Sequence, residues 1–473
     1  MALVDIYIKV MVKSHGIKAI RECFVRPHHE VEAAKQPYYL GPLDLAMLSI
    51  EPTQKGLLFA FGCNNPTPPE IPSLVERLKG SLSLALVHFY PLAGRLETIK
   101  YNDEHACLIY VDCIKGPGAR LIHASYADLA VSDILSSTDV HPAVRSFFDL
   151  GERMVNHDGH TKPLLSVQVT ELLDGVFIGF TMSHTVLDGT SFIHFVSALS
   201  EILSSKDGGD NPNQISRVPL YKMFAPDGYG PIFKLPYLEP EEFVTRYDPG
   251  PIRDRIFHFS PESIARLKAK ANEECRSGTE MVSSFMALSG LVWRSVTRAR
   301  NPPGHEKTSC CLALNARPRL DPPLSDDYFG NLAGLVRGIC HVEELLGQSL
   351  GWAASLLGQE VKRNTHEVVL GSVKPLADRP VVGQPGSGQR EIFGAQHSLI
   401  IGGSPRFDMY GPEFGLGWAV AVRMGNANKD DGKVAANPGR EGGGSVDLEI
   451  CLRPHVMDAL EVDEEFMSFV SEP

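Results

Sequence analysis

A histidine and an aspartate stand four apart in FTMSHTVLDGTSF, residues 180–192. His184 closes an apolar run, and Asp188 comes just before Gly189. Imidazole titrates near neutral pH without help, so a histidine fixed at the end of a strand is suited to general-base work. The aspartate has two possible uses. It can cap the following helix and brace the loop through an arginine, or it can touch the ring and set its tautomer. The bland alternative is an exposed turn histidine beside a capping aspartate. With 17 histidines in the chain, about one HxxxD match arises by chance. None of the other histidines has Asp at +4. No G-x-S-x-G elbow accompanies the pair, and no cysteine sits in a recognisable nucleophile motif. A base without a protein nucleophile points to direct attack. It would deprotonate a hydroxyl or amine of a bound acceptor, which then attacks an activated acyl group.

The elements around this pair read as strand, loop and helix. LLSVQVTELL (residues 164–173) and VFIGFTMS (176–183) flank Asp174-Gly175, a strong hairpin signal. TSFIHFVSALSEIL (190–203) has apolar residues at 192, 195, 196, 199 and 203, one face of a helix. Residues 55–63 and 105–113 read as buried strands. Residues 71–89 read as a helix ending at Pro91, inside YPLAGRL. The polar, Gly/Pro/Asn-rich stretch 204–219 opens a linker. Beyond it come a helix in 280–300, a strand starting SCCLALN, and a loose segment at 377–389 that could cross back between halves. GWAVAVRMG and SVDLEICL read as a terminal hairpin around a glycine-rich loop.

The chain has 473 residues, 43% hydrophobic and 22% charged, a globular composition too long for one core. A formal charge of −12 argues against nucleic acid and anionic membranes as partners. Nine cysteines without a CxxC, in a chain this large, read as reduced thiols of a cytoplasmic protein. Lys9 and Lys13 break the first apolar run, so it is a poor signal peptide, and no run approaches membrane-span length.

The chain resembles the plant BAHD acyl-CoA-dependent acyltransferases through an ordered set of motifs. These are LGPLDL (40–45), YPLAGRL (90–96), HTVLDG (184–189), NARPRLDPPLSDDYFGN (315–331) and SPRFDMYGPEFGLG (404–417). The resemblance implies an α/β fold of two chloramphenicol-acetyltransferase-like domains, with mixed sheets flanked by helices. They would span residues 1–203 and 251–473, joined by a long crossover at 204–250. A solvent channel would run between them. It also implies a monomer with no permanently bound cofactor or metal, using acyl-CoA as co-substrate and a small-molecule acceptor.

By the same resemblance, His184 is the general base, and Asp188 points away from substrate to brace the loop through an arginine. Arg294 and Arg298 are the candidates for that arginine. Ser404 corresponds to a hydroxyl residue that would donate to the oxyanion, and Gly189 completes the substrate-binding loop. The family's DFGWG reads EFGLG here, so Glu413 keeps the acid and Leu416 replaces tryptophan. Glu413 counts among the catalytic-site residues, although the family motif lies away from the histidine. Trp418 would fill the lost aromatic volume.

GREGGGS (439–445) reads as a hairpin loop rather than a phosphate nest, and HDGH (157–160) as a solvated loop rather than a metal pair. RSVTRAR reads as a solvated or ion-paired helix face. Three other functions stay open on this pattern. One is a lyase of the isochorismoyl-glutamate type. Another is a carrier-protein condensation domain, although Ser183 replaces the first histidine of HHxxxDG. The third is a non-catalytic acyl-CoA-binding paralogue.

Overall fold

The computed structural model describes residues 16–62, 70–149, 153–205, 215–275, 281–385 and 397–472. The chain's first half supplies β1 (Lys18–Val25), β2 (Tyr38–Tyr39), β3 (Thr53–Ala60), β4 (Arg95–Tyr101), β5 (Ala106–Asp112), β6 (Ala119–Tyr126), β7 (Leu165–Leu172) and β8 (Gly175–Met182). The second supplies β9 (Arg253–Phe259), β10 (Lys307–Asn315), β11 (Ala333–His341), β12 (His397–Gly403), β13 (Ala421–Met424), β14 (Lys433–Pro438) and β15 (Val446–Leu452). Two mixed six-stranded sheets result, ordered β1-β6-β7-β8-β3-β13 and β11-β10-β12-β14-β15-β9. A small sheet, β2-β5-β4, stands apart. The strand expected at 105–113 belongs to this small sheet.

The Asp174-Gly175 hairpin forms as expected, with Val167 opposite Phe180 and Thr170 opposite Phe177. Every residue of β8 is buried, because both faces of the first sheet are covered. Ile178, Phe180 and Met182 pack beneath the helices Ile71–His88 and Gly189–Ser204. Phe177 faces Phe147 and Phe148 on the other side. Helices Pro261–Glu274, Ser284–Arg300 and Leu350–Arg363 cover one face of the second sheet around Trp293 and Leu312. Most of the stability of these helices comes from such faces rather than from propensity.

The terminal hairpin does not form. β13 leaves the second half and pairs antiparallel with β3, Ala421 opposite Leu58 and Met424 opposite Lys55. β15 pairs instead with β14, which runs in what reads as loop, and with β9. The chain around β13 therefore makes a crossing into the first half, in addition to the described part of the loose segment, whose Ala377 and Val382 pack in the first core. Residues before 386 do touch the first half, where Gly383 N donates to Ala46 O at 2.9 Å. The rest of the loose segment, most of the 204–219 break, Cys63 and residues 1–15 lie outside the described residues. The described part of the crossover lies against the first core through Phe233, Leu235 and Phe243.

In YPLAGRL, a Cβ on Gly94 would stand 2.6 Å from Asp112 O, with no room to shift. Gly94→Ala should cost about 1–3 kcal/mol, measured as a lower urea midpoint.

Candidate active site

β8 ends at Met182, and the loop from Ser183 to Asp188 hangs from a buried side chain. Asn156 Oδ1 accepts from His184 N at 2.9 Å and from Ser183 Oγ at 3.1 Å, while its Nδ2 donates to Met47 O at 2.9 Å. At the loop's far end Asp188 is the N-cap of the Gly189–Ser204 helix, its Oδ1 accepting from Ser191 N at 3.0 Å. A side-chain oxygen there satisfies an orphan helix donor.

Asp188 also pairs with Arg317, and both are essentially excluded from solvent, at 2% and 0% exposure. The pair is bidentate, Nη1 to Oδ2 at 2.7 Å and Nη2 to Oδ1 at 3.0 Å. Asp188 Oδ2 accepts a further bond from Leu332 N at 3.0 Å. The guanidinium also donates to Tyr328 O at 3.2 Å and Gly330 O at 3.1 Å. Arg317 follows β10 and Leu332 precedes β11, so one ion pair binds the loop after β8 to both ends of the β10–β11 connection of the second half. Neither expected arginine does this. Arg294 is turned into the second half, donating to Leu345 O and Gln348 O. Arg298 pairs with Asp463 and Glu465, and Arg300 with Asp431. The helix face thus reads correctly as ion-paired, but its arginines are spent away from the loop.

Asn331 sets the histidine's protonation pattern. Its Nδ2 donates to His184 O at 2.7 Å and to Asp44 Oδ1 at 2.8 Å. Both partners are acceptors, so the amide oxygen must face the ring, and it lies 3.1 Å from His184 Nδ1. The network therefore assigns the proton to Nδ1 and leaves the Nε2 lone pair free. Burial holds His184 below the ordinary imidazole value, and the Lys433 charge adds to that. Burial pushes Asp44 up to about 6, against the hydrogen bonds from Asn331 and Gly41. His184 itself remains partly accessible, unlike its buried neighbours Ser183 and Thr185.

A family model described as Transferase family matches residues 17–467. The chain is 33% identical over 449 residues to an uncharacterized acetyltransferase of Arabidopsis thaliana, covering 95% of this chain and 98% of that one. It is 30% identical to the BAHD acyltransferase DCR of Arabidopsis thaliana, covering 97% of this chain and 92% of that one. It belongs to the BAHD acyltransferase family. The fold matches F. graminearum TRI101 complexed with coenzyme A and T-2 mycotoxin, with TM-score 0.71 and 19% identity over 92% of this chain and 99% of that one. The two sheet-containing halves are the two chloramphenicol-acetyltransferase-like domains of the BAHD fold.

The turn that holds Ser404 reaches Gly189 through Phe407. Ser404 opens a turn in which its Oγ accepts from Arg406 N at 3.1 Å. A Cβ on Gly189 would meet the Phe407 ring at 3.1 Å, so the turn lies against the helix start next to the His184 loop. Glu413 is not brought there. It is exposed, and Phe414 N beside it bonds Ser200 Oγ at 3.0 Å. Ser200 lies about 16 Å along the helix from Gly189, at 1.5 Å per residue. Glu413 therefore stands away from the ring, as the family motif does. Trp418 does not fill the aromatic gap, because it is 66% exposed.

HDGH is not a solvated loop. His157 and His160 are half-buried with rings 4.4 Å apart, and burial plus its partner hold His157 down to about 4. GREGGGS is the β14–β15 hairpin loop, closed by Gly439 N to Ser445 O at 3.0 Å.

Arg317, Asn331, Asp44 and Asn156 are the site residues that sequence reading missed. Arg317, Asn331 and Asp44 stand inside motifs already singled out, so the motifs were the signal that could have found them. Arg317→Ala should remove about 3–5 kcal/mol, because it strands a buried carboxylate. A fall in the urea midpoint measures this.

Proposed function

We propose that this BAHD protein transfers an acyl group from an acyl-CoA thioester to a hydroxyl or amine of a small-molecule acceptor, with His184 as general base. One observation carries this reading: Nδ1 is engaged by Asn331 Oδ1, so Nε2 is the free base. Acyl-CoA and acceptor would meet at this ring from opposite mouths of the seam between the halves. The coenzyme A bound by the TRI101 neighbour supports the donor class. The acyltransferase name of the DCR relative supports the reaction class. We further take the chain to act as a cytoplasmic monomer.

The acceptor's proton passes to Nε2 while its oxygen or nitrogen attacks the thioester carbon. The C–S bond then breaks, and the His184 imidazolium returns the proton to the departing CoA thiolate. Products are an ester or amide and free CoA. The developing negative charge on the carbonyl oxygen needs a preplaced donor. The Ser404 hydroxyl takes that role, since it accepts from Arg406 N and keeps its own proton to give. Asp188 contributes by holding the loop, and Glu413 takes no part in the chemistry.

A low imidazole pKa suits this role at neutral pH, where the ring is unprotonated and ready. His184→Ala should lower kcat by about 10²–10⁴-fold with the circular dichroism unchanged. Asn331→Ala leaves the tautomer unpinned and should cost about 10²-fold. Activity is lost as pH falls through the His184 pKa, because the protonated ring cannot accept. The acid limb of kcat/KM should therefore have its midpoint below 6.5. A midpoint above that value, in an assay following CoA release, rejects His184 as the base.

A further inference from the structure

β14 alternates sharply. Val434 and Ala436 are fully buried in the second core, so Lys433, Ala435 and Asn437 project from the opposite face. That face meets the first half, for Asn437 Oδ1 accepts from Lys55 Nζ of β3 at 2.8 Å. Lys433 Nζ lies over β12, 3.8 Å from where a Cβ on Gly402 would stand. Gly402 is two residues before Ser404. The ammonium thus occupies the seam between the halves, beside the turn that packs against Gly189. Its charge is among the causes that lower the His184 pKa.

The neighbouring cation is treated differently. Lys429 is paired with both Asp254 and Glu449. Among the described residues Lys433 Nζ has no hydrogen bond and no ion pair. Asp430 and Cys451 act on it only through space, and burial depresses its pKa. In a chain of formal charge −12, a half-buried cation with no hydrogen-bonded counter-ion, beside Gly402 and two residues from the Ser404 turn, is a specific feature, not part of a basic surface. A buried charge without a partner is costly, and it weakens His184 as a base. Both penalties lift when an anion arrives with the substrate. CoA phosphates cannot be that anion, for they hang at the far end of the pantetheine arm from the reacting carbon.

We propose that Lys433 is a specificity-determining residue that docks a carboxylate carried by the acceptor or by the acyl group. This rests on the acyl-transfer reading and narrows it to a substrate class. The carboxylate ion-pairs with Nζ while the hydroxyl or thioester carbon lies at His184.

The test compares wild type with Lys433→Met and Lys433→Arg. Acceptor arms pair hydroxy acids with their methyl esters, 4-hydroxybenzoate among them. Donor arms pair succinyl-CoA with butyryl-CoA. Wild type should favour the anionic member of one pair by about 10-fold or more in kcat/KM, and Lys433→Met should bring that ratio close to one through KM. Lys433→Arg should keep most of the ratio. The arm that responds identifies acceptor or acyl group as the carrier. A wild-type ratio near one in both arms overturns the proposal. So does an equal fall in kcat for anionic and neutral members in Lys433→Met, which would make Lys433 an oxyanion donor. If wild type releases no CoA with any pair, the acyl-transfer reading fails. Docking is then read by equilibrium binding of 4-hydroxybenzoate and succinyl-CoA. Binding weakened in Lys433→Met supports it, and equal binding in both proteins overturns it.

Discussion

The Asp188–Arg317 pair is the constraint from which the rest of the site follows. Two charges taken out of water cost several kcal/mol each, and only near-complete hydrogen bonding offsets that. The bidentate pair comes close. Asp188 also accepts from Ser191 N and Leu332 N, and Arg317 also donates to Tyr328 O and Gly330 O. Among the described residues, Arg317 Nε is the polar atom of the pair left without a partner. These bonds exist in one arrangement of three chain segments, two of them from the other half of the molecule. The ion pair therefore acts as a register device: the halves cannot slip relative to each other without stranding a buried charge.

That register is what allows a second, weaker network to set the histidine. Asn331 comes one residue after Gly330, whose carbonyl Arg317 holds. Its position is inherited from the ion pair, and its orientation is fixed by Asp44 and His184 O. Asn156 holds the same loop from the opposite side through the His184 amide. The His184 ring is thus oriented by residues from four places in the chain, while among the described residues nothing bonds its Nε2. Lys433 enters from β14, so the second half supplies both the brace and a charge that helps lower the His184 pKa.

Much of this was legible locally. The hairpin, the helix after Gly189 and the capping aspartate follow from periodicity and turn chemistry over a few residues. What was not legible involves partners far apart in sequence. Arg294 and Arg298 lie at tempting helical spacing, but the Ser284–Arg300 helix turns them toward Leu345, Asp463 and Glu465. Arg317 looked like part of a motif block, and only the end of β10 brings it to Asp188. β13 failed for the same reason. Hairpin rules favour neighbours in sequence, yet its four residues pair with β3, more than 350 positions earlier.

The EFGLG departure illustrates how packing separates chemistry from support. Glu413 faces solvent, so lengthening the acid by one methylene changes nothing buried. The turn is anchored instead by Phe414, fully buried with φ of 51°. Its ring stands 6.0 Å from Phe180 and 6.4 Å from Phe59. Phe180 lies on β8, four residues before His184, so Phe414 backs the strand that leads to His184. Leu416 is also buried, at 5% exposure, and keeps apolar contact at the substituted position. An apolar plug needs volume more than aromaticity, and Phe414 and Leu416 are both buried in the first core. The strand behind His184 keeps its backing although the motif's tryptophan is gone.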